Sequence, residues 1–322
     1  MYRKKKDEVL KLPEKREGEL KLVIKNSDKY LLKNVRAVVK EIFEDEYAKL
    51  EEENKKIIPE FRFNIERYSL ASKQQTKSYL SKILYINDVN NDEGFGGMHE
   101  LDQNFIDTFI DNYIANNTTI PKPLIKTLKE YEKKLIWMKR SAMGKAIGRV
   151  YPKYRAEMFN ALFDENKERI FEMINNNIKK TVIFSQSLPV VKHIYETLNA
   201  NGIPTVKIVG GVNPTDRSDI INKFKYDESV RVIVATSQSM STGVTLTCAS
   251  LMFFFGPPYR SADYDQCCDR IHRIGQDSDV NIYNVTLMSN GKNLSNRMDD
   301  ILKWSKDMFD AAIDSNIDGG NV

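Results

Sequence analysis

The second half of the chain alternates short apolar runs with amphipathic stretches. Apolar, β-branched runs typical of buried strands lie at residues 180–186, 205–210, 230–237, 251–256 and 281–288. Segments with helical spacing separate them, the first reaching residue 198 and the next covering residues 217–224. Strands that alternate with helices at this spacing predict an α/β fold with a doubly wound parallel sheet. Ligands of such sheets are expected beyond the carboxyl ends of the strands.

The pattern before residue 178 is helical. Apolar residues recur at helical spacing over residues 27–54, and further helices are predicted at 67–86, 102–116, 122–143 and 152–176. A polar, Gly-rich loop is predicted at 87–100. Residues 3–24 predict a short helix, a turn and a strand from residue 19, and residues 293–313 predict a closing amphipathic helix. The predicted regions are therefore 1–26, a helical region 27–177, an α/β region 178–290, and a helix with its tail 291–322.

Composition narrows the class of protein. A chain of 322 residues with 41% hydrophobic content can form two domains. No apolar run approaches the roughly 20 residues of a membrane span, and no apolar signal core follows the basic start, so we expect a cytoplasmic protein that is not secreted. The three cysteines include no CxxC pair and the three histidines stand far apart. We therefore expect neither a disulfide nor a structural metal.

Basic residues are concentrated in one part of the chain, although the net charge is only +4. Between residues 121 and 155, eleven basic residues accompany two acidic ones. This density is typical of a surface that binds a phosphate backbone, with Lys133, Lys134 and Arg140 as candidates. A solvated helix face is the alternative, and the pattern alone does not separate the two.

Residues 265–276, DQCCDRIHRIGQ, carry the clearest chemistry. On a helix, Arg270 and Arg273 would lie on one face, one turn apart, so both guanidinium groups could reach the same anion. Gln266 would lie one turn before Arg270 and offer an amide beside the charges. Gly275 would let the helix end, and Gln276 follows the turn. The spacing predicts a phosphate clamp.

This string resembles the sixth helicase motif of the Swi/Snf-type DNA translocases, a branch of superfamily two. The resemblance implies that Arg273, with Arg270 beside it, faces ATP bound on a neighbouring RecA-like lobe and acts as the arginine finger. It also implies that Gln266 and Gln276 lie at the nucleotide. Residues 178–290 would then form the second RecA-like lobe of such an enzyme.

Three other segments resemble the same lobe. Residues 180–186 are similar to the fourth motif, residues 211–224 to the stretch that follows it, and residues 237–249 to the fifth. The fifth is a loop of small hydroxyl residues that can approach phosphate oxygens closely. The resemblance implies a nucleotide contact for Gly243, and DNA contacts for a further set of side chains: Ser185, Gln186, Ser241, Thr242 and Thr247.

The sequence also departs from the family. Ser239, Met240 and Ser241 replace the usual Ala-Gly-Gly of the fifth motif, and the region around Tyr259 replaces the usual Trp-Asn-Pro. There is no Walker A sequence and no Asp-Glu-x-His after an apolar strand. Residues 3–24 are similar to the stretch that follows the first lobe, so residues 1–26 are predicted to be a linker or brace leading out of a first lobe.

The resemblance implies the second motor lobe of an ATP-dependent DNA helicase or translocase. ATP with Mg²⁺ would be bound mainly by the first lobe, supplied in cis or in trans, and the chain alone would not hydrolyse ATP. Double-stranded DNA is the expected partner, in the cytoplasm, at a nucleoid or in a nucleus. One alternative is a catalytically inactive DNA- or protein-binding module. Another is a helicase that separates strands of RNA or forked DNA.

Overall fold

The computed structural model describes residues 12–53, 122–240 and 244–318. The helices predicted at 67–86 and 102–116, and the loop predicted between them, lie outside these ranges. The described residues divide into two compact units, one within Met1–Val35 and Tyr151–Val322 and the other within Arg36–Val150. None of the helices in the described ranges is both long and apolar enough to cross a membrane.

The first unit contains a parallel sheet, six-stranded over the described residues. Its strands are β1 (Lys15–Leu22), β2 (Lys180–Ser185), β3 (Thr205–Ile208), β4 (Val232–Thr236), β5 (Ala249–Phe254) and β6 (Val280–Leu287). Their spatial order is β1-β6-β5-β2-β4-β3, and every pair is parallel. The predicted α/β class with a doubly wound parallel sheet is confirmed.

Helices alternate with the strands along the chain. They are α1 (Leu32–Glu53), α2 (Lys122–Glu165), α3 (Lys167–Asn176), α4 (Leu188–Ala200), α5 (Pro214–Tyr226), α6 (Ser261–Cys268) and α7 (Leu294–Asp318). The chain leaves β2 through α4 toward β3 on one side, and leaves β5 through α6 toward β6 on the other. The point where the winding direction reverses therefore lies between β2 and β5, where open α/β sheets bind ligands.

The prediction of separate helices at 122–143 and 152–176 is wrong, because α2 runs on through Pro152 to Glu165. The break comes instead at Asn166. Its side-chain Nδ2 donates to the carbonyl oxygen of Leu162 (3.0 Å) and to that of Val23 (2.9 Å). An amide that takes over a helix carbonyl in this way competes with the next backbone turn, so α2 ends and α3 starts in a new direction.

The central strands are buried because their side chains are apolar on both faces. Every residue of β5 is buried, as are residues 181–185 of β2. A parallel strand covered by helices on both faces requires this continuous apolar pattern. Aromatic rings fill the space beyond the strand ends: Phe163 lies edge-on to Phe255, with ring centroids 5.7 Å apart.

Strand β1 extends the sheet at one edge. It pairs in register with β6, from Lys15 opposite Val280 to Leu22 opposite Leu287. Its first residues are exposed and Leu20 and Leu22 are buried, a pattern that suits an edge strand. The segment predicted to be a linker, residues 1–26, therefore includes a strand of this sheet that begins four residues before the predicted start.

Candidate functional site

The segment 269–276, here called the arginine loop, is not helical. Helix α6 ends at Cys268, and both arginines lie in the turns that follow, so the prediction of a helix carrying them one turn apart is wrong. The reason lies at Ile271, whose carbonyl oxygen accepts from the side-chain Nε2 of Gln276 (2.8 Å) instead of continuing a helical ladder. Gly275 has φ +95°, which allows the chain to turn there.

Gln276 fixes the arginine loop to the sheet. Its Nε2 also donates to the carbonyl of Ala249 (2.8 Å), the first residue of β5. Its Oε1 accepts from Lys179 Nζ (2.7 Å) and from the backbone N–H groups of Asp277 and Ser278 (3.1 and 3.2 Å). The side chain is buried, so these bonds satisfy an amide that would otherwise be costly to bury. Its nucleotide contact stays a prediction.

The end of the fifth-motif segment, residues 244–248, lies against the arginine loop. The backbone N–H of Leu246 donates to the carbonyl of Arg270 (2.7 Å). Arg273 Nη1 donates to Thr245 Oγ1 (3.3 Å), and Lys179 Nζ donates to the carbonyl of Thr247 (3.1 Å). The structure therefore brings two separately predicted motifs together.

Lys179 joins the two segments electrostatically as well. It forms an ion pair with Asp277 and holds the pKa of that carboxyl below its usual range. Lys179 precedes β2, just as Ala249 begins β5, so the arginine loop lies at the amino ends of these strands. The arginines therefore lie away from the carboxyl ends of the strands, because their loop leads into a strand rather than out of one, and the expectation that ligands bind beyond the carboxyl ends stays a prediction.

The two arginines have different environments. Arg270 is 8% exposed, whereas Arg273 is an exposed side chain whose one side-chain hydrogen bond within the described residues goes to Thr245. Ile274, the next residue, is 67% exposed although it is apolar. The tip of the arginine loop thus presents a cation and an apolar side chain to solvent. Among the predicted neighbours, Ser241, Thr242 and Gly243 lie outside the described residues.

The carboxyl edge of the sheet carries Ser185 and Gln186. Ser185 Oγ donates to the carbonyl of Phe255 (2.6 Å) and accepts from the backbone N–H of Ser187 (3.1 Å), which ties the ends of β2 and β5 together. Gln186 is exposed and lines two cavities, of about 940 and 150 Å³. Gln266, predicted to lie beside the arginines, lines the smaller of these cavities with Gln186.

The larger cavity is lined by residues that sequence reasoning did not connect. Arg155 and Tyr259 meet there, with the guanidinium carbon 5.3 Å from the ring centroid. Asn160 lies on the same helix, five residues beyond Arg155. Arg155 was recognised as part of the basic stretch, and Tyr259 as a departure from the family pattern. Nothing in the sequence signals that they share a cavity, because the contact depends on the path of α2.

The basic stretch lies on α2, where it carries Lys133, Lys134 and Arg140. Arg140 is exposed. Two further members are bound within the second unit: Arg149 Nη1 and Lys145 Nζ lie 2.8 and 3.3 Å from the carboxylate of Glu46.

Hydrogen bonds from Lys49, Arg149 and Lys145 lower the pKa of the Glu46 carboxyl to about 2. Lys145 and Arg149 are therefore ion-paired with Glu46, and the DNA contacts of Lys133, Lys134 and Arg140 stay a prediction.

Comparison with known proteins identifies the class. Residues 165–275 match the helicase conserved C-terminal domain. The chain is 28% identical over 150 residues to the ATP-dependent helicase ULS1 of Saccharomyces cerevisiae, covering 46% of this chain and 9% of that protein. It is 32% identical over 116 residues to the SWI/SNF-related matrix-associated actin-dependent regulator of chromatin subfamily A-like protein 1 of Xenopus tropicalis, covering 36% and 12%.

Two further proteins are similar to this chain. The human DNA annealing helicase and endonuclease ZRANB3 is 29% identical over 170 residues, which cover 53% of this chain and 16% of that protein. A crystal structure of the C-terminal part of the Fun30 ATPase domain aligns over 90% of both chains with a TM-score of 0.46 and 14% identity.

Residues 165–275 thus match the helicase conserved C-terminal domain, and the resemblance to the second lobe of Swi/Snf-type helicases is confirmed. The chain spans only 9 to 16% of the length of the three relatives named above.

Proposed function

We propose that this chain is the second motor lobe of an ATP-dependent, Swi/Snf-like DNA translocase, in which Arg273 is the arginine finger. The observation that carries the proposal is the position of Arg273: exposed, at the tip of the arginine loop, and held by Thr245 of the neighbouring motif. A first lobe with a Walker A loop, in cis or in trans, completes the ATP site. These 322 residues contain no such loop.

The loop is suited to present a guanidinium group at a fixed place. Gln276 and Lys179 anchor its base to β5 and β2, and the Leu246 N–H fixes the carbonyl of Arg270. A finger that is ordered before the nucleotide arrives needs no reorganisation in the transition state. Ile274 beside it offers apolar area to the first lobe.

The residues present fit an anionic phosphoryl group, because Arg273 retains most of its hydrogen-bond donors for a ligand. ATP supplies the phosphoryl group that is transferred. Arg273 stabilises the charge that develops on it, a contribution of about 4–7 kcal/mol in the barrier. In the described ranges, no group of three or more His, Cys, Asp or Glu side chains could hold a metal ion. The Mg²⁺ ligands are therefore assigned to the first lobe.

Duplex DNA is the proposed track. Gln186 lies exposed at the carboxyl edge of the sheet, opposite the arginine loop, and we assign phosphate contacts of DNA to this residue and to Lys133, Lys134 and Arg140 of α2. The predicted DNA contact of Ser185 is not retained, because this residue is 1% exposed and its hydroxyl is bonded to Phe255 and Ser187. Ser241, Thr242 and Thr247 remain proposed contacts of the fifth motif. Strands β2 and β5 connect the two edges, so closure of the lobes around nucleotide would move Gln186 together with the arginine loop.

The test is ATP hydrolysis with duplex DNA, by this chain alone and with a first-lobe protein from the same source. We expect turnover only in the mixture. Arg273→Ala should lower that turnover by about 10³-fold or more while duplex binding is retained. Arg169→Ala is the matched control, since Arg169 is an exposed arginine on α3 of the same unit.

Two results would contradict the proposal. If Arg273→Ala hydrolyses ATP as fast as the parent, the finger assignment is wrong. If the mixture never hydrolyses ATP while the chain binds duplex in a salt-sensitive way, the chain is a binding module instead.

A further inference from the structure

The cavity of about 940 Å³ at the carboxyl ends of β2 and β5 is not explained by phosphate contacts along a DNA backbone. Its volume lies within the range of sites that enclose small molecules, and it opens at the reversal point of the sheet. Only Gln186 among its lining residues belongs to the proposed DNA contacts. The apolar interior is therefore suited to a small ligand that it can enclose.

Positive charge at the cavity is left uncompensated. The two acids that line it already have partners: Glu157 binds Lys29 (2.6 Å), and Asp263 lies 4.0 Å from Arg260. Arg155 is half-buried and makes neither a hydrogen bond nor an ion pair within the described ranges. Burial lowers its pKa. A cation held out of water without a counter-charge costs free energy, which a bound anion would offset.

Two further features favour an anion at the same wall. Lys153 lines the cavity two residues before Arg155 on α2. Helix α4 begins at the cavity wall, where Ser187 is the N-cap and its hydroxyl makes no capping bond. The amino end of a helix of this length carries partial positive charge and unpaired backbone N–H groups, which bind phosphate.

Polar groups deeper in the cavity remain available for hydrogen bonds. Asn160 Oδ1 is buried and has no hydrogen-bond partner in the described part of the chain. The amides of Gln186 and Gln238 line the same space, and neither makes a side-chain hydrogen bond to a described residue. A buried acceptor without a donor is destabilising, so Asn160 is matched to a ligand that carries an N–H group.

The remaining walls are aromatic. Phe159 and Phe255 lie edge-on with ring centroids 6.3 Å apart, and both are buried. Tyr259 and the Arg155 guanidinium add planar surfaces at the rim. Aromatic rings and guanidinium planes are the surfaces on which unpaired nucleobases stack.

We propose that this cavity binds a single nucleotide. The base lies against Phe159, Phe255 and Tyr259 and donates an N–H to Asn160, while the phosphate lies at Arg155, Lys153 and the start of α4. The ligand has two possible sources, a free nucleoside monophosphate or an unpaired nucleotide extruded from a DNA strand. The cavity lies on the opposite edge of the sheet from Arg273, so this inference does not depend on the ATPase role.

Fluorescence of 2-aminopurine separates these sources. The probes are 2-aminopurine deoxyribonucleoside 5′-monophosphate, a short duplex with one unpaired 2-aminopurine, and the same duplex fully paired. We expect stacking to quench the emission of at least one of the first two probes saturably. If the ligand is a nucleotide of a DNA strand, the duplex with one unpaired 2-aminopurine should bind about tenfold more tightly than the fully paired duplex. Quenching by the monophosphate alone identifies a free nucleotide as the ligand.

Two variants test the assignments. Arg155→Gln and Asn160→Leu should each weaken the quenched complex by about tenfold. Arg169→Gln, on the surface of α3, should leave it unchanged. Asn160→Leu should not lower the melting temperature, because its Oδ1 loses no partner, so a loss of binding would not reflect misfolding. If Arg155→Gln and Asn160→Leu both bind as tightly as the parent, the proposal is wrong. It is also wrong if neither the monophosphate nor the unpaired duplex shows saturable quenching. If the fully paired duplex does not bind while the 2-aminopurine emission is still quenched by the cavity, the result contradicts only the proposed translocase role.

Discussion

Polar side chains at the two edges of the sheet differ in how many hydrogen-bond partners the protein gives them. At the amino edge, the amide of Gln276 and the ammonium group of Lys179 bond to carbonyls, backbone N–H groups and Asp277, and leave Arg273 exposed at the tip. At the carboxyl edge, Asn160 and Arg155 face a cavity with no hydrogen-bond partner among the described residues. The first edge is ordered by its own bonds, whereas the second has hydrogen-bonding capacity left for a ligand.

This difference shows how one sheet can support two kinds of site. A finger that acts on a developing charge must be positioned in advance, so the groups around it are satisfied by the protein. A site that encloses a ligand must offer groups that the ligand itself satisfies. Apolar packing, rather than hydrogen bonds, then has to hold the second site open.

The largest effect is expected from Gly256, where the carboxyl edge is most tightly packed. Gly256 has φ +90°, and a Cβ atom there would lie 3.0 Å from Phe159 and 3.2 Å from Met298. Gly256→Ala should therefore lower the free energy of unfolding by about 3 kcal/mol, through backbone strain and overpacking of the cavity wall. Urea unfolding followed by circular dichroism measures it.

Gly210→Ala is the matched control, because a Cβ atom there meets nothing within 4 Å and the backbone is not left-handed. We expect a change of at most about 0.5 kcal/mol. If Gly256→Ala is as stable as the parent, the cavity wall is loosely packed. Apolar packing would then not be what holds the carboxyl edge in place.

A smaller but more local effect is expected from Gln276 at the amino edge. Gln276→Leu keeps the volume but leaves the carbonyls of Ala249 and Ile271 without their side-chain donor, which should cost about 2 kcal/mol. Amide hydrogen exchange of Leu246 should accelerate, because its N–H bonds to the loop at Arg270.

Gln266→Leu provides the comparison for this variant. Gln266 is exposed and comes from the same stretch of sequence, so we expect stability within about 0.5 kcal/mol of the parent. If both glutamine variants lose the same amount, the amide of Gln276 does not organise the loop, and the amino edge is no better ordered than the carboxyl edge.

The sequence predicts the sheet well because the signal is local. The apolar runs that become β2 and β5 are buried on both faces, and this burial leaves a continuous β-branched and aromatic pattern. The exceptions are places where a side chain overrides the backbone pattern. Asn166 ends α2 beyond a proline that looked like a boundary, and Gln276 takes the place of a helical turn after α6.

The candidate site was predictable in part. The string around Arg273 identified the arginines and their partner segment, because that chemistry is compressed into a few consecutive residues. The edge of the sheet on which they lie was not predicted, since a loop before a strand and one after it look alike in sequence. The cavity could not be predicted at all: Arg155 and Tyr259 are far apart in the chain and meet only when α2 packs beside β5.

The smallest effect concerns the pH dependence of stability. Asp299, on α7 beside the cavity residue Met298, has its pKa raised to about 7 by burial and by the nearby carboxylates Glu19 and Asp300. The folded state thus holds this proton more tightly than the unfolded chain does. Its contribution to stability is present at low pH and is lost as the pH rises from about 4 to about 7. Asp277, whose pKa is lowered, contributes in the opposite direction, since its contribution is lost on acidification.

Asp299→Asn should therefore flatten the decline in unfolding free energy between pH 5 and pH 8, and should be more stable than the parent at the upper end. Solvent at this half-buried position screens the charge, so we expect a gain of no more than about 1 kcal/mol. Asp307→Asn, at an exposed carboxylate on the same helix, should leave the profile unchanged. Parallel profiles for the parent and Asp299→Asn would mean that this carboxyl is ionised at little cost in the folded state.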